Sequence, residues 1–380
     1  MTPPDHETRT TVRILFGSTP VPGHVLPLLP LADAAVAAGH EVAFLTAADM
    51  APFLHGRTLL PAGASFEKIA AETAARSTVD SRHPGAGAAE LFAGVRVDLT
   101  WDEALPAAEA FAPDVLVCET MDYVTQLLAA HLDLPWYGLT VGAPLPDIFY
   151  EALDTRAEQQ HQQRGLTPKA RSVLLDPHPL AMRVPTDPPA DPDHLAIRPV
   201  AHSHAVPGLT TEVTLPPAGD RPRVLVTTGT SVGDRDLFDA LAAALVEAGA
   251  EVLVTTAPDP AFDRPHIHAI GFAPLAEVLP HVDVVVGAAG SGTLLATLAN
   301  GTPSILLPQI ADQPANAARA TAHEAALVIE TPTQAGEALT TLLADDRYRT
   351  GAQRLATAIA TMPHPTEIAD RLFTTPAEQN

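Results

Sequence analysis

The segment Val282–Ala317 has the residue types and spacing of an anion-binding loop. The apolar run Val282–Val286 predicts a buried strand, and the small residues 287–290 follow it. Ser291 then opens a predicted helix that ends at Gly301, a residue typical of helix C-termini. The free N–H groups and the positive end of such a helix dipole attract a negative group. The segment lacks a GK[ST] ending and a GxGxxG pattern, which argues against a P-loop and a dinucleotide fingerprint.

Other residues with useful chemistry also follow predicted strands. His24 lies in the crossing FGSTPVPGHVLP just before a helix, and its imidazole can accept a proton near neutral pH. Glu119 comes after the strand Val115–Val117. The corresponding residues of the second half are Thr230, Ser231 and the segment Pro308–Gln313. Because ligands of open parallel sheets bind beyond the carboxyl ends of the strands, all of these groups are expected to line one interdomain cleft.

The elements that position these residues alternate between strand and helix in both halves of the chain. The first half has the predicted strands Val12–Phe16, Val42–Leu45, Val115–Val117 and Trp136–Leu139, and the helices Pro27–Ala38 and Tyr123–His131. The second half has the strands Arg223–Thr227, Glu251–Thr255, His268–Ile270 and Ser304–Leu307, and the helices Asp236–Ala248 and Leu275–Leu279. Residues Pro177–Arg198 are expected to be irregular. Alternation of this kind predicts an α/β fold with two parallel sheets.

The length of 380 residues suits two domains better than one core. We expect an N-terminal Rossmann-like domain at 1–206, a Pro-rich linker at 207–222 and a C-terminal Rossmann-like domain at 223–365. The last helix and tail, 366–380, are expected to pack back on the N-terminal domain.

Composition excludes several classes of partner. The formal net charge of −23 argues against nucleic acid and anionic membranes as partners, since both require basic patches. The single Cys118 excludes an internal disulfide bond. The polar start MTPPDHETRTT does not have the form of a signal peptide, and no apolar stretch approaches the length of a membrane span. We therefore expect a cytoplasmic protein.

The segment Val282–Ala317 resembles the donor-sugar segment of the GT-B glycosyltransferases of family 1, above all the actinomycete enzymes that modify antibiotics and other polyketides. That segment reads roughly HHGGSGT, a helix, and then PQxADQxxNA. In this chain GSGT is Gly290–Thr293, PQIADQ is Pro308–Gln313 and NA is Asn316-Ala317. The two histidines of the family fall on Gly287 and Ala288. The second, which touches the donor diphosphate in the family, is therefore replaced by Ala288.

The resemblance implies roles for two residues of the first half. His24 matches the general base of the family in GHVLP, and Glu119 matches the carboxylate, usually Asp, that holds the base. The alternatives are a loop histidine that caps a helix and a surface carboxylate at the end of a strand.

Donor binding is implied for the second half. The residues expected to face the diphosphate are Thr230, Ser231, Gly290, Ser291, Gly292 and Thr293. Asp312 and Gln313 match the pair that contacts sugar hydroxyls, and the alternative for Asp312 is a helix cap. Phe272, Ala273 and Pro274 match the segment that stacks on the nucleobase, and the alternative for Phe272 is core packing.

The resemblance implies an inverting, metal-independent glycosyltransferase without a cofactor. Its partners would be a nucleotide sugar, with TDP as the expected nucleotide, and a small-molecule aglycone; a homodimer is a further option. No metal site is expected, because the histidines, His178 and His194 among them, form no ligand pattern with carboxylates. Ala288 leaves open a non-catalytic auxiliary protein that activates a partner enzyme. A nucleotide-sugar 2-epimerase would require further acids in the cleft.

Overall fold

Two parallel β-sheets follow one another along the chain. The computed structural model describes residues 11–185, 187, 193–207, 209, 215–217, 219–228, 235–256 and 264–373. Within these ranges each sheet packs against helices, which confirms the prediction of an α/β fold with two Rossmann-like halves. None of the helices in this part of the chain combines the length and the apolar sequence that a bilayer crossing requires.

The N-terminal sheet has the strand order β3-β2-β1-β4-β5-β6-β7, with parallel neighbours throughout. Its strands are β1 Arg13–Gly17, β2 Glu41–Thr46, β3 Thr58–Pro61, β4 Val115–Glu119, β5 Trp136–Leu139, β6 Val173–Asp176 and β7 His194–Ala196. Side chains of β1 alternate between two cores, with Ile14 and Phe16 in one and Leu15 in the other. The order changes direction between β1 and β4, so this position is the switch point at which a ligand is expected.

The C-terminal sheet has the order β10-β9-β8-β11-β12-β13 and is also parallel. Its strands are β8 Arg223–Thr227, β9 Glu251–Val254, β10 Ile267–Ala269, β11 Val284–Gly287, β12 Ser304–Leu306 and β13 Ala326–Val328. The direction changes between β8 and β11. The loop that follows β11 is the predicted anion loop.

The α-helices that cover the sheets range from single turns to long segments. They are α1 Pro22–Val25, α2 Leu29–Ala37, α3 Phe66–Arg76, α4 Ala86–Ala89, α5 Arg96–Asp98, α6 Trp101–Phe111, α7 Tyr123–Leu132, α8 Asp147–Gln163, α9 Arg235–Glu247, α10 Leu275–Val278, α11 Ser291–Ala299, α12 Gln313–Ala322, α13 Ala335–Ala344, α14 Arg347–Ala360 and α15 Pro365–Phe373. A π-helical segment, Glu90–Val95, joins α4 to α5.

The last helix crosses to the other domain. Ile368, Ala369 and Phe373 of α15 are buried in the same core as Ile14 of β1, and α15 packs against α2. The amphipathic spacing of these apolar residues explains why the helix needs a second surface to cover it.

Two expectations about local structure are wrong. Residues Pro177–Arg198 include β7, which extends the N-terminal sheet by pairing with β6. This three-residue strand has partly exposed side chains, so the sequence carries no apolar run that could identify it. The helix predicted at Pro27–Ala38 is instead a 3-10 turn, Leu26–Leu28, followed by α2 at Leu29–Ala37, and the separate four-residue α1 precedes both.

Candidate active site

His24 and Glu119 meet at the switch point of the N-terminal sheet. His24 lies in the helical turn after β1, and Glu119 is the last residue of β4. Nδ1 of His24 is 3.1 Å from Oε1 of Glu119, in a contact whose angle is not that of a linear hydrogen bond. The His24 side chain is 20% exposed, whereas that of Glu119 is fully buried. One side of the imidazole is therefore held by a carboxylate while part of the ring remains accessible.

The backbone fixes the orientation of Glu119. Its Oε1 accepts a hydrogen bond of 2.9 Å from the Thr19 amide, and its Oε2 accepts one of 2.6 Å from the Met121 amide. Burial alone raises the pKa of Glu119, but the charge of His24 and the hydrogen bond from the Thr19 amide outweigh burial and lower it. Both oxygens are engaged, so the carboxylate has one fixed direction in which to face the ring.

The electrostatic surroundings of His24 favour its protonated form. Burial lowers the pKa of His24, but Glu119, and then the charges of Asp312 and Asp122, outweigh burial and raise it. A base of raised pKa accepts a proton more readily, which suits removal of a proton from a hydroxyl group. Asp312 belongs to the C-terminal half, and a Cβ at Gly142 of the N-terminal half would lie 2.6 Å from its Oδ2, so the two halves are in contact at this point.

A buried arginine lies behind this pair. The Arg96 side chain has no exposed surface; Nη2 donates to the Ser18 carbonyl at 3.0 Å and lies 3.7 Å from Oδ1 of Asp122. It thereby holds the backbone segment from which the Thr19 amide binds Glu119. Sequence reasoning missed Arg96, because an arginine in a helical segment normally reads as a surface residue.

Phe92 packs on the imidazole from the π-helical segment. The rings of His24 and Phe92 are stacked, with centroids 5.9 Å apart and an interplanar angle of 21°. A π-helical turn changes the direction of side chains along a helix and recurs at functional sites. Here it turns Phe92 onto the ring of His24.

The predicted anion loop has the expected geometry. Gly290 is the N-cap of α11, with extended backbone (φ −62°, ψ 138°). At both Gly290 and Gly292 a Cβ would have no atom of the described residues within 4 Å. The first amides of a helix lack intrahelical acceptors, and the space in front of these two glycines is open for an anion to reach them.

The two positions of the family histidines are closed. A Cβ at Gly287 would lie 2.7 Å from the Thr227 carbonyl oxygen. Ala288 is 5% exposed and borders a cavity of about 10 Å³ whose other lining residues include Leu237, Leu241 and Val286. A histidine placed at position 288 would either contact the diphosphate or overpack its surroundings. The structure favours overpacking.

Ala288→His is therefore expected to destabilise the fold by about 1–3 kcal/mol, because an imidazole ring at this buried position would have to displace its neighbours. Urea unfolding of wild type and variant measures the difference. Ala288→Ser, a much smaller addition, is the matched control. An unchanged unfolding midpoint for Ala288→His would show that this side chain turns away from the core.

Asp312 does not cap α12 with its side chain, although it occupies the N-cap position. Its Oδ2 accepts a hydrogen bond of 2.7 Å from Nδ2 of Asn316 in the next turn. Burial raises the pKa of Asp312, although Asn316 and the charges of His178 and His24 oppose this. The simple helix-cap alternative therefore does not describe this carboxylate, which lies close to histidines of the other half.

Gln313 and Asn316 hold the loops around the site together. Oε1 of Gln313 accepts hydrogen bonds from the amides of Gln309 (2.9 Å) and Ile310 (3.0 Å). Nδ2 of Asn316 also donates to the Ala289 carbonyl at 2.9 Å. Sequence reasoning assigned no role to Asn316, although the asparagine of the PQxADQxxNA pattern was visible.

His178 is a further residue that sequence reasoning did not place in the site. It follows β6 of the N-terminal sheet, and its Nε2 lies 2.8 Å from Oγ of Ser291 at the start of α11. Its Nδ1 lies 3.0 Å from Oδ1 of Asp176. The contact joins residues that are 113 positions apart, and no local pattern could reveal it.

The remaining predicted residues lie apart or outside the described ranges. Phe272 packs against Phe53 and His202, with ring centroids 6.0 and 5.3 Å away. This arrangement is the packing alternative, and nucleobase contact by Phe272, Ala273 and Pro274 stays a prediction. Thr230 and Ser231 lie outside the residues that the structure describes.

The chain is similar to known proteins over nearly all of its length. A family model for the C-terminal domain of erythromycin biosynthesis protein CIII-like proteins matches residues 239–374. L-demethylnoviosyl transferase of Streptomyces niveus is 30% identical, covering 95% of this chain and 97% of that protein. Elloramycin glycosyltransferase ElmGT of Streptomyces olivaceus is also 30% identical, covering 96% and 97%.

Structural similarity covers the same extent. The glycosyltransferase SsfS6 of Streptomyces sp. SF2575, in its complex with thymidine diphosphate, matches with a TM-score of 0.81 at 27% identity. The match covers 96% of this chain and 100% of that chain. Both sheets are therefore included in the similarity.

Proposed function

The chain belongs to the GT-B glycosyltransferases of antibiotic and other natural-product biosynthesis, and we propose that it transfers a sugar from a TDP-sugar to a hydroxyl group of a small-molecule aglycone with inversion. One observation carries the proposal. Glu119 holds His24 in the N-terminal half, and the Ala143 amide of that half donates to Oδ1 of Asn316, whose Nδ2 binds Asp312 in the other half. A base and the expected donor site therefore face the same cleft.

The reaction follows from this arrangement. The acceptor hydroxyl gives its proton to His24, and its oxygen forms a bond to the anomeric carbon of the sugar. The bond from that carbon to the diphosphate oxygen breaks on the opposite face, and its electron pair leaves with TDP. A single displacement of this kind inverts the anomeric centre. Glu119 stabilises the imidazolium that forms.

The leaving group would bind at the start of α11. The amides of Ser291, Gly292 and Thr293 and the dipole of α11 would stabilise the charge that develops on the diphosphate. Gly290 leaves the approach open. SsfS6, which is 27% identical to this chain, has a structure with thymidine diphosphate, and this supports TDP as the nucleotide.

We propose that the reaction requires no metal ion and no cofactor, the nucleotide sugar being a substrate. Among the described residues, no group of three or more His, Cys, Asp or Glu side chains is arranged to hold a metal. Backbone amides and the helix dipole would then neutralise the leaving charge.

The proposal is tested by binding and turnover. Thermal unfolding with TDP and UDP shows which nucleotide binds, because binding to the folded state raises the apparent stability. A panel of TDP-sugars and polyketide aglycones is then assayed with and without EDTA, and NMR of the product gives the anomeric configuration. A retained configuration or an EDTA-sensitive rate would contradict the mechanism. TDP binding without transfer to any acceptor would favour the auxiliary protein.

Asp312→Ala is expected to weaken binding of the TDP-sugar by about 10-fold, the worth of a charge-assisted hydrogen bond to a sugar hydroxyl. The Kd of free TDP should change less than about twofold, because free TDP lacks the transferred sugar that Asp312 is expected to contact. Isothermal titration of both ligands on the same variant provides the internal control. Equal losses for both ligands would assign Asp312 a structural role.

Gln313→Ala is expected to have a mixed effect. Besides any sugar contact, it removes the acceptor of the Gln309 and Ile310 amides, and the loss of a partly buried hydrogen bond costs about 0.5–1.5 kcal/mol. We expect lower stability together with weaker TDP-sugar binding, measured by urea unfolding and titration. Full stability with intact TDP-sugar binding would exclude both roles.

A further inference from the structure

A chain of three polar side chains crosses from the N-terminal sheet to the anion loop. Asp176, the last residue of β6, lies 3.0 Å from Nδ1 of His178, and Nε2 of His178 lies 2.8 Å from Oγ of Ser291. His178 and Ser291 are each 8% exposed. Ser291 is the first residue of α11, where the proposed function places the donor diphosphate.

Asp176 has a fixed orientation. Its Oδ1 accepts hydrogen bonds of 2.9 Å from Oγ1 of Thr140 and from the His178 amide. Its Oδ2 lies 3.2 Å from Nε2 of His194. Burial alone raises the pKa of Asp176, but the hydrogen bonds from His178 and His194 outweigh burial and lower it strongly. An ionised Asp176 favours the His178 tautomer with a proton on Nδ1, and Nε2 then faces Ser291.

The Ser291 hydroxyl is held from two sides. Nδ2 of Asn316 lies 3.4 Å from the same oxygen that His178 approaches. These two contacts fix the first residue of α11, the helix whose N-terminal amides and dipole attract a phosphate group.

His178 brings an imidazole to a loop that otherwise lacks one. The resemblance puts glycine and alanine at the two histidine positions of the family; a Cβ at Gly287 would clash with the Thr227 carbonyl oxygen, and Ala288 is buried. His178 reaches the same loop from the opposite domain. The histidine that supports the diphosphate site would then come from across the cleft, and not from within the loop.

We propose that His178 is a positioning residue of the donor diphosphate site: held by Asp176, it acts through the Ser291 hydroxyl, so that the N-terminal domain completes the site. This inference rests on the proposed function. It requires that diphosphate binding, but not nucleoside binding, depends on the contact between the two domains.

The test compares TDP with thymidine, which lacks the phosphates. His178→Ala and Ser291→Ala are each expected to raise the Kd of TDP by about 10–100-fold, with thymidine binding unchanged. The double variant should be no weaker than either single variant, because both remove the same interaction. His178→Gln, which keeps an N–H near Ser291, should recover part of the affinity.

His161→Gln is the matched control, since His161 is also a buried histidine of the N-terminal half, and its Nδ1 contacts the Ala157 carbonyl of its own helix. Its TDP affinity should stay within about twofold of wild type. A similar loss in His161→Gln, additive losses in the double variant, or wild-type affinity in a folded His178→Ala protein would overturn the inference. Ser291→Ala, which removes one oxygen atom, decides the outcome if His178→Ala does not fold. Wild-type protein that binds neither TDP nor UDP would instead refute the proposed function.

Discussion

Replacing His24 by alanine is expected to lower kcat by about 10²–10⁴-fold, the usual contribution of a positioned general base. The ring is held on one side by Glu119 and packs against Phe92. TDP binding should be unchanged, because the base serves the acceptor. Steady-state kinetics with saturating donor, together with TDP titration, separate the two effects.

The same half of the chain offers a control for this substitution. His131 also pairs with a glutamate, Nε2 lying 3.7 Å from Oε1 of Glu109, but both side chains are at least one third exposed. His131→Ala should leave kcat within about twofold of wild type, since exposed ion pairs contribute little. A His24→Ala enzyme with normal turnover would refute the assignment of the base.

Replacing Glu119 by glutamine is expected to reduce kcat by about 10²–10⁴-fold, because a neutral amide neither fixes the tautomer of His24 nor stabilises its protonated form. Stability should also fall, by about 1–3 kcal/mol, because the amide NH₂ would face either the Thr19 or the Met121 N–H group. Kinetics and urea unfolding of the purified variant measure the two losses separately.

The pH dependence of the variant provides an independent readout. The base must be neutral to accept a proton, so activity is lost as the pH falls through the pKa of His24, which Glu119 holds above its ordinary value. In Glu119→Gln the raising charge is absent, and the acidic limb of the kcat/KM profile should move to lower pH. Glu119→Asp, which keeps the charge, should keep the limb nearer its wild-type position. An acidic limb that does not move in Glu119→Gln would contradict the pairing.

Local patterns were sufficient to predict the fold class and the expected anion site. Apolar runs separated by helical segments predict parallel sheets, and the small residues before Ser291 predict a helix N-terminus with open amides. Ligands of parallel sheets bind beyond the carboxyl ends of the strands, and this rule predicts that His24 and Glu119 lie close together. These features depend on residues close in sequence or on the direction of neighbouring strands.

The tertiary structure alone decided which side chains complete the site. Arg96 is buried and supports the backbone that binds Glu119, and Ala288 is also buried. His178 contacts Ser291 across the cleft. These burials and contacts depend on how elements distant in the chain pack against one another. Residue type and local spacing do not specify that packing. His178 follows a short strand, and its sequence context resembles that of a surface histidine. Only the packing of the two halves brings its Nε2 to 2.8 Å from Oγ of Ser291.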